Sequence, residues 1–149
     1  MQLLRLAFLL AFLPVTFYCT AQPDLTINDL SKKTAVAETM KQYGIWKEAM
    51  LSNDTSKLSM ILSADFKLNG RVEKNEWLNN LTHRKTDSIT VLDPEFTIYT
   101  NAVKVDCLIY WKYSEGDLAE EERMLTTDIW ILKEGKLFLQ TRLWNKLRN

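Results

Sequence analysis

The first clear hydrophobic pattern runs from Ser31 to about residue 51. Apolar and aromatic side chains recur there at steps of three and four residues: Val36, Met40, Tyr43, Trp46 and Met50. That spacing places them on one face of an α-helix. Ser31 or Thr34 can cap the start of the helix, and the polar run SNDTS at 52–56 ends it. The pattern therefore predicts one long amphipathic helix.

Two shorter helical patterns follow, with an extended segment between them. Residues 54–62 have apolar positions at helical spacing behind a capping Asp54 or Thr55. Residues 64–70 are extended and end at a glycine, where a positive φ angle costs little. Residues 71–81 return to the helical period, and their predicted inner side consists of Val72, Trp77 and Leu81.

Beyond residue 81 the pattern is that of β-strands. Five segments are rich in β-branched and aromatic residues: SITVLD, EFTIYT, AVKVDCLIYWKY, RMLTTDIWIL and KLFLQTRLW. Helices followed by an antiparallel meander predict an α+β fold, with the N-terminal helices packed on one side of a strongly curved antiparallel sheet. We expect a single domain at residues 31–149, preceded by a short leader at 22–30.

Alternation along the strands assigns their two faces. In the third long strand one face is wholly apolar and should meet the helices: Val103, Val105, Cys107, Ile109 and Trp111. For the last hairpin we expect an inward set of Leu125, Thr127, Ile129 and Ile131, together with Leu137, Leu139, Thr141 and Leu143. Asp106 and Asp128 would then lie on the outer faces.

The opposite face of that hairpin is too aromatic for simple exposure. It would present Trp130, Phe138 and Trp144 beside Arg142. An outward patch of this kind favours burial by a second subunit, so we expect a homodimer through the sheet. The alternative is scattered surface aromatics shielded by Arg142 and by lysine stems.

The first 21 residues have the pattern of a secretory signal peptide. Arg5 precedes an apolar run that ends near Tyr18 and is too short to span a membrane. We expect export to the periplasm or the extracellular space, with cleavage between Ala21 and Gln22. A lipid anchor at Cys19 is the alternative, but the bulky residue before the cysteine disfavours it.

Charge and cysteine content narrow the classes of partner. The whole chain has 19 basic and 19 acidic side chains, and cleavage removes only Arg5, which leaves 18 against 19 and a net charge of −1. A nearly neutral chain is not suited to nucleic acid or an anionic membrane as its main partner. Cys107 is then the only cysteine, so no intrachain disulfide can form, and we expect it to be buried.

Three longer segments resemble the nuclear transport factor 2-like superfamily, in particular its SnoaL-like branch of exported domains of unknown function. They are IWKEAMLSNDTSKLSMILSADF, NGRVEKNEWLNNL and TTDIWILKEGKLFLQTRLWN. The resemblance implies a cone-shaped, cystatin-like fold with a pocket at its wide end. It also implies that function differs among members. Many relatives carry a tryptophan after the last turn and a histidine near the end of the last strand, where this chain has Leu137 and either Thr141 or Leu143. That departure disfavours a catalytic role.

Candidate catalytic groups are few. His83 is the only histidine, so no histidine-based metal cluster can form, and we expect it in an exposed loop. Asp65 is the best candidate for a proton-transferring carboxylate, helped by a tyrosine such as Tyr43. Capping or turn bonding is the structural alternative for Asp65. No phosphate loop, nucleophile elbow or Cys-His arrangement is present, so no cofactor is expected.

An aromatic stripe on the helices predicts either a plain core or a pocket. The expected pocket walls are Tyr43, Trp46, Trp77, Trp111, Thr127 and Thr141. The sequence therefore favours an exported, non-enzymatic domain that binds a small apolar ligand or acts as a dimeric interaction module. A cofactor-independent isomerase, cyclase or dehydratase that uses a pocket aspartate and tyrosine is the alternative.

Overall fold

A computed structural model of the chain describes residues 32–147. It contains three helices and six strands: α1 Lys32–Leu51, α2 Thr55–Ile61, β1 Leu62–Leu68, β2 Val72–Glu73, α3 Lys74–Leu81, β3 Lys85–Ile98, β4 Ala102–Glu115, β5 Leu118–Lys133 and β6 Lys136–Lys146. The predicted signal peptide, the leader and the Ser31 cap lie outside the described residues.

The helices form where the apolar period predicts them, except that the third begins at Lys74 and Val72, predicted on its inner side, lies in β2. α1 buries one face: Ala35, Thr39, Tyr43, Trp46, Ala49 and Met50. Met40, predicted on that face, is instead 42% exposed. The Asp54 carboxylate caps α2 by accepting a hydrogen bond from the Lys57 amide at 2.8 Å. Within residues 32–147, no helix is long and apolar enough to cross a membrane.

The strands form one open, mixed sheet in the order β2-β1-β6-β5-β4-β3. Neighbouring strands are antiparallel except β1 and β6, which run parallel, so the predicted all-antiparallel sheet needs this correction. The parallel pair arises because α3 carries the chain from β1 to the far edge, and the meander β3 to β6 then returns beside β1. The α+β class, with helices on one face, is as predicted.

The inner face of β4 is the predicted one, with Val103, Val105, Cys107, Ile109 and Trp111 all buried. The assignment for β5 is wrong. Its buried residues are Met124, Thr126, Asp128 and Trp130, whereas Leu125 is exposed and Thr127, Ile129 and Ile131 are half-buried on the outer side. Asp128 therefore points into the core, where the sequence pattern does not place it.

A bulge in β6 changes the face of its second half. Trp130 pairs with Leu139, but Ile129 pairs with Thr141, which leaves Gln140 as an extra residue. Leu137 and Leu139 face inward as predicted. Beyond the bulge the inward residues are Arg142 and Trp144, so the inward placement predicted for Thr141 and Leu143 is wrong.

The residues predicted to form the dimer face lie on opposite sides of the sheet. Trp130 is 0% exposed in the core, and Trp144 packs from the inner side against Trp111, with ring centroids 6.2 Å apart. Phe138 remains on the outer face, opposite Ile131. The outer face is nevertheless apolar through other residues, notably Leu108, Leu125 and Leu143.

Candidate functional site

An ion pair lies at the centre of the fold, between neighbouring strands. Arg142 on β6 donates from Nε to Asp128 Oδ1 at 2.7 Å and from Nη2 to Asp128 Oδ2 at 2.6 Å. Both side chains are 0% exposed. This bidentate geometry is the strongest form of the Arg–carboxylate pair, and it is what allows two charges to be buried together.

Tyr43 on α1 joins the ion pair to the helix layer. Its hydroxyl donates to Asp128 Oδ2 at 2.5 Å and lies 4.0 Å from Cys107 Sγ. Burial, and then the Asp128 charge, raises the pKa of Tyr43 well above its usual value, so the hydroxyl stays protonated. Burial likewise raises the pKa of Cys107 to about 11, which makes it an inert thiol.

Tryptophans enclose the pair from both layers. The Arg142 guanidinium lies over the Trp46 ring, 4.2 Å from its centroid, and the Tyr43 ring lies 5.3 Å from that of Trp130. Burial opposes the charged guanidinium, but the charge and hydrogen bonds of Asp128 outweigh it and raise the pKa of Arg142. We call these five residues the buried cluster: Tyr43, Trp46, Asp128, Trp130 and Arg142.

The buried cluster is arranged for stability rather than for proton transfer. Both Asp128 oxygens already accept hydrogen bonds, and a general base must reach its substrate. Three N–H groups find no acceptor within the described part of the chain: Trp46 Nε1, Trp130 Nε1 and Arg142 Nη1. No group of three or more His, Cys, Asp or Glu among residues 32–147 is placed to hold a metal ion.

The predicted proton-transfer residues do not come together. Asp65 is exposed at the surface of β1, where it accepts a hydrogen bond from Gln140 at 3.1 Å and pairs with Lys133 at 3.4 Å. The Gln140 bond is the main cause that lowers the pKa of Asp65 to about 2. The carboxylate that Tyr43 meets is therefore Asp128, and the predicted pairing of Asp65 with Tyr43 is wrong.

The predicted pocket walls also separate into groups. Tyr43 and Trp46 belong to the buried cluster, and Trp111 is buried, with its Nε1 donating to Thr86 Oγ1 at 3.1 Å. Thr127 and Thr141 face outward, which corrects their predicted position, and Thr127 donates to Asp106 at 2.6 Å. Of the predicted walls, Trp77 lines an open pocket on the inner side of the sheet, together with His83, whereas Thr127 lines a groove on the outer side.

That pocket, which we call the end pocket, lies where α3 meets the ends of β1, β4 and β6. Its volume is about 190 Å³. Its apolar wall is made of buried or half-buried side chains: Leu68, Val72, Trp77, Leu81 and Trp144. The α3 period places Trp77 and Leu81 on the same side of the helix, so both reach the pocket.

The rim of the end pocket is polar. It consists of Asn80, His83, Arg84 and Glu115. Arg84 Nε donates to Glu115 Oε2 at 3.1 Å, and the guanidinium lies 4.8 Å from the Tyr113 ring centroid. An apolar wall with a few polar groups at the opening is the usual composition of a small-molecule site.

A second concavity, the outer groove, lies on the opposite side of the sheet. Its volume is about 580 Å³, and its apolar lining includes Leu108, Leu125 and Leu143. Carboxylates of Asp93, Glu95 and Asp106 border it. Leu125 is 53% exposed and Leu143 45%, so the groove is an unpartnered apolar face.

Sequence reasoning missed Asp128 and Arg142 for a specific reason. The two-residue turn at Glu134 and Gly135 sets a register in which Asp128 would lie opposite Thr141. Only the extra Gln140 moves Arg142 into that position. The sequence contained one signal for this pair. Asp128 and Arg142 have opposite charges and would be only one position out of register without the bulge, and Trp130 lies close to Asp128 on the same strand.

Comparison with known proteins identifies the fold. No protein-family model matches the chain, and no curated protein matches it. Among solved structures, it is similar to a nuclear transport factor 2-like protein from Cytophaga hutchinsonii, with a TM-score of 0.69 and 14% identity. The match covers 79% of this chain and 100% of that one.

Two further structures have the same architecture. One is a proposed Ca/calmodulin-dependent kinase II association domain from Exiguobacterium sibiricum, with a TM-score of 0.73, 11% identity, and coverage of 80% of this chain and 96% of that one. The other is a proposed scytalone dehydratase from Novosphingobium aromaticivorans, with a TM-score of 0.65, 9% identity, and coverage of 76% and 85%. Such identities show the fold alone, and they confirm the predicted nuclear transport factor 2-like fold.

Proposed function

We propose that this chain, which has the nuclear transport factor 2-like fold, is an exported domain that binds a small apolar molecule in the end pocket. The observation that carries the proposal is the composition of that pocket, an aromatic and aliphatic wall with four polar side chains at its opening. Its volume of about 190 Å³ is below the range of drug-sized sites, which suits a ligand of about one aromatic ring.

The shape of the ligand follows from the residues around the opening. Trp77 and Trp144 offer ring faces and edges to a flat apolar body. Asn80, His83 and the Arg84–Glu115 ion pair can donate or accept a hydrogen bond at its exposed end. A planar molecule with one polar substituent, such as phenol, meets both requirements and is a suitable probe.

Nuclear magnetic resonance of the tryptophan indole N–H groups tests this proposal. We expect phenol to shift the signals of Trp77 and Trp144 but not that of Trp130, with a dissociation constant on the order of 1 mM, or about −4 kcal/mol. Asn80→Phe should fill the opening and abolish the shifts.

Asn79→Phe is the matched control, since Asn79 is the preceding exposed residue of α3 and does not line the end pocket. It should leave phenol binding unchanged. Equal phenol binding by the Asn80→Phe and Asn79→Phe variants would show that phenol does not occupy the end pocket.

We also infer a homodimer through the outer face of the sheet. The support is the outer groove, where Leu125 and Leu143 are about half exposed on a sheet face that nothing within residues 32–147 covers. Phe138 is the one residue of the sequence-predicted dimer face that lies on this side. The structural neighbour named as an association domain is consistent with this inference.

A dehydratase or isomerase is the second candidate function. One structural neighbour is named as a proposed scytalone dehydratase, and the 2.5 Å hydrogen bond from Tyr43 to Asp128 is an acid–base pair. The full burial of Asp128 disfavours this candidate. A turnover assay should therefore find equal activity in the wild type and in Tyr43→Phe, whereas a loss specific to Tyr43→Phe would favour the enzyme.

Export remains a proposal that rests on the first 21 residues. We expect the mature protein to begin at Gln22, because the apolar run and the small residues before it fit signal peptidase. Intact mass and N-terminal sequencing of the protein from the periplasm or medium measure this directly. A lipid-modified Cys19 at the new terminus would instead establish the anchored form.

A further inference from the structure

Arg84, at the rim of the end pocket, has unused hydrogen-bonding capacity. The buried Arg142 gives both Nε and Nη2 to the fully buried Asp128. Arg84 makes a single hydrogen bond, from Nε to Glu115 Oε2 at 3.1 Å. Neither of its Nη atoms donates to any of residues 32–147. Because both Nη atoms of a guanidinium are donors, they remain available to a ligand.

Aromatic rings hold the Arg84 guanidinium in place. Its Cζ atom lies 4.8 Å from the Tyr113 ring centroid and 5.7 Å from that of Trp111. Both rings are buried, and their centroids are 4.4 Å apart. Only 32% of the Arg84 side chain is exposed, compared with 52% of that of Glu115. Arg84 is therefore a cation whose position is set before a ligand arrives, which lowers the entropy cost of binding.

The other polar groups at the opening also favour a ligand that accepts hydrogen bonds. Among the described residues that line the end pocket, Glu115 is the only carboxylate, and it already accepts a bond from Arg84. Asn80 and His83 are exposed at the same rim. Asn80 can donate through its amide and His83 through a ring N–H. A cation and two further donors thus stand against one carboxylate.

We propose that the end pocket selects aromatic carboxylates, with the ring against the apolar wall and the carboxylate bound by the Nη atoms of Arg84. The inference rests on the proposed function, because it specifies the ligand class of the same pocket. Carboxylate and guanidinium groups are both planar, so two parallel hydrogen bonds can form between them. Benzoate is the simplest such ligand, and its single ring suits a cavity of about 190 Å³.

Glu115 competes with such a ligand without blocking it. Its hydrogen bond uses the Nε side of the Arg84 guanidinium, whereas a ligand on the two Nη atoms uses the far end. Two carboxylates near one cation nevertheless repel each other. Removing the Glu115 charge should therefore strengthen carboxylate binding, and removing the Arg84 charge should weaken it. A neutral ring compound should respond to neither change.

An amine bound to Glu115 is the alternative ligand, and the surroundings disfavour it. An ammonium in the end pocket would lie beside the Arg84 cation, and Glu115 is the more exposed member of that ion pair. Solvent screens an exposed charge more strongly than a partly buried one. Arg71 adds a second cation nearby: it lines a surface cleft that shares Val72 and Trp144 with the end pocket, and it makes no ion pair within residues 32–147.

Titration of the wild type with benzoate, benzamide and benzylamine tests the ligand class. Binding is followed at the indole N–H signals of Trp77 and Trp144, at neutral pH and low salt. We expect benzoate to bind about tenfold more tightly than its neutral analogue benzamide, because its hydrogen bonds are charge-assisted. Added sodium chloride should reduce this preference. Benzylamine that binds as tightly as benzoate would overturn the proposal.

Substitutions at the rim test the anchor. Arg84→Gln should weaken benzoate binding about tenfold and change benzamide binding less than about twofold, while Arg84→Lys should restore part of the loss. Glu115→Gln should strengthen benzoate binding about threefold. Arg123→Gln is the matched control and should change neither affinity. Arg123 also lies over a ring, 5.1 Å from the Tyr110 centroid, but it does not line the end pocket.

The outcomes separate this inference from the proposed function. A loss of benzoate affinity in Arg84→Gln alone, with benzamide binding retained, supports Arg84 as the anchor and shows that the variant is folded. Equal benzoate affinities in Arg84→Gln and Arg123→Gln overturn the anchor, and so does a wild type that prefers benzamide. The pocket itself stands in those cases if benzamide and phenol still shift the Trp77 and Trp144 signals. No shift with any of the ring compounds overturns the proposed function and this inference with it.

Discussion

At the scale of single residues, the most consequential feature is that two charges are buried side by side. Asp128 and Arg142 are each polar enough to predict a surface position, and each is 0% exposed. The bidentate hydrogen bonds, the Tyr43 hydroxyl and the Trp46 ring together replace the water that both charges have lost. Each charge can therefore stay buried in the folded protein only while the other is present.

Asp128→Asn tests that dependence. The variant keeps the shape of the side chain but leaves the Arg142 charge buried without a counter-charge, so we expect a loss of about 3–5 kcal/mol in the free energy of unfolding. Urea denaturation measures it. The double variant Asp128→Leu/Arg142→Met should be more stable than Asp128→Asn, because it removes both charges. A loss below about 1 kcal/mol for Asp128→Asn would contradict the structural role of the pair.

At the scale of secondary structure, one residue in β6 decides which side chains enter the core. Gln140 is the bulge residue, and its side chain only reaches Asp65 on the surface. Because strand side chains alternate, one extra residue exchanges the faces of everything that follows it. Arg142 and Trp144 point inward because of this bulge.

Insertion and deletion at residue 140 should therefore differ. Deleting Gln140 removes the extra residue and still leaves Arg142 opposite Asp128, so the domain should fold with a moderate loss of stability. Inserting one alanine after Gln140 turns Arg142 outward and leaves Asp128 unpaired, which should cost at least as much as Asp128→Asn. Thermal unfolding by circular dichroism compares the two, with Gln140→Ala as a control within about 0.5 kcal/mol of wild type. An insertion tolerated as well as the deletion would refute this explanation.

A single substitution in the β5–β6 turn should make the domain more stable. Glu134 and Gly135 have φ angles of 52° and 74°, the two positive values of a type I′ hairpin turn. Asn adopts such a conformation more readily than Glu, as it does at Asn69 before Gly70. Glu134→Asn should raise the free energy of unfolding by about 0.5 kcal/mol in urea denaturation, and Glu134→Ala should not. Equal effects of the two substitutions would argue against the turn as the cause.

At the scale of the whole molecule, the buried titratable groups on the inner face make the domain sensitive to alkali. Burial raises the pKa of Cys107 to about 11 and that of Tyr113 to about 12, and burial together with the Asp128 charge also raises the pKa of Tyr43 well above its usual value. A pKa that is higher in the folded state gives stability that is complete below the unfolded pKa and disappears as the pH rises through the folded one. The stability that protonated Cys107 contributes is therefore lost between about pH 9 and 11, and the stability that protonated Tyr113 contributes is lost between about pH 10 and 12.

We accordingly expect the free energy of unfolding to fall from pH 9 to pH 12. Urea midpoints measured at intervals across that range test this expectation. Tyr113→Phe should flatten the decline between pH 10 and 12, since it removes the hydroxyl that donates to Glu122 at 3.0 Å. A midpoint that stays constant up to pH 12 would mean that these groups are not held protonated by the fold.

The sequence by itself determined the fold class, the three helices and most of the strands in their order. The segments SITVLD and EFTIYT, predicted as two strands, belong to the single strand β3, and β2 lies where the third helix was predicted to begin. Helical and strand periods are local properties, so the helix at Lys32–Leu51 and the β4 strand could be predicted with the correct inner face for β4. The β4 face was readable because its two sides differ clearly in polarity.

Only the tertiary structure decided the interior of the last hairpin. Both faces of β5 carry large apolar side chains, so local polarity could not distinguish them. The choice depends on Asp128 and Arg142 meeting across two strands, and that meeting requires the bulge at Gln140 and a tyrosine from α1. Long-range pairing of charges can reverse the face that each charge alone would predict, because burial penalises a lone ion far more than a neutralised pair.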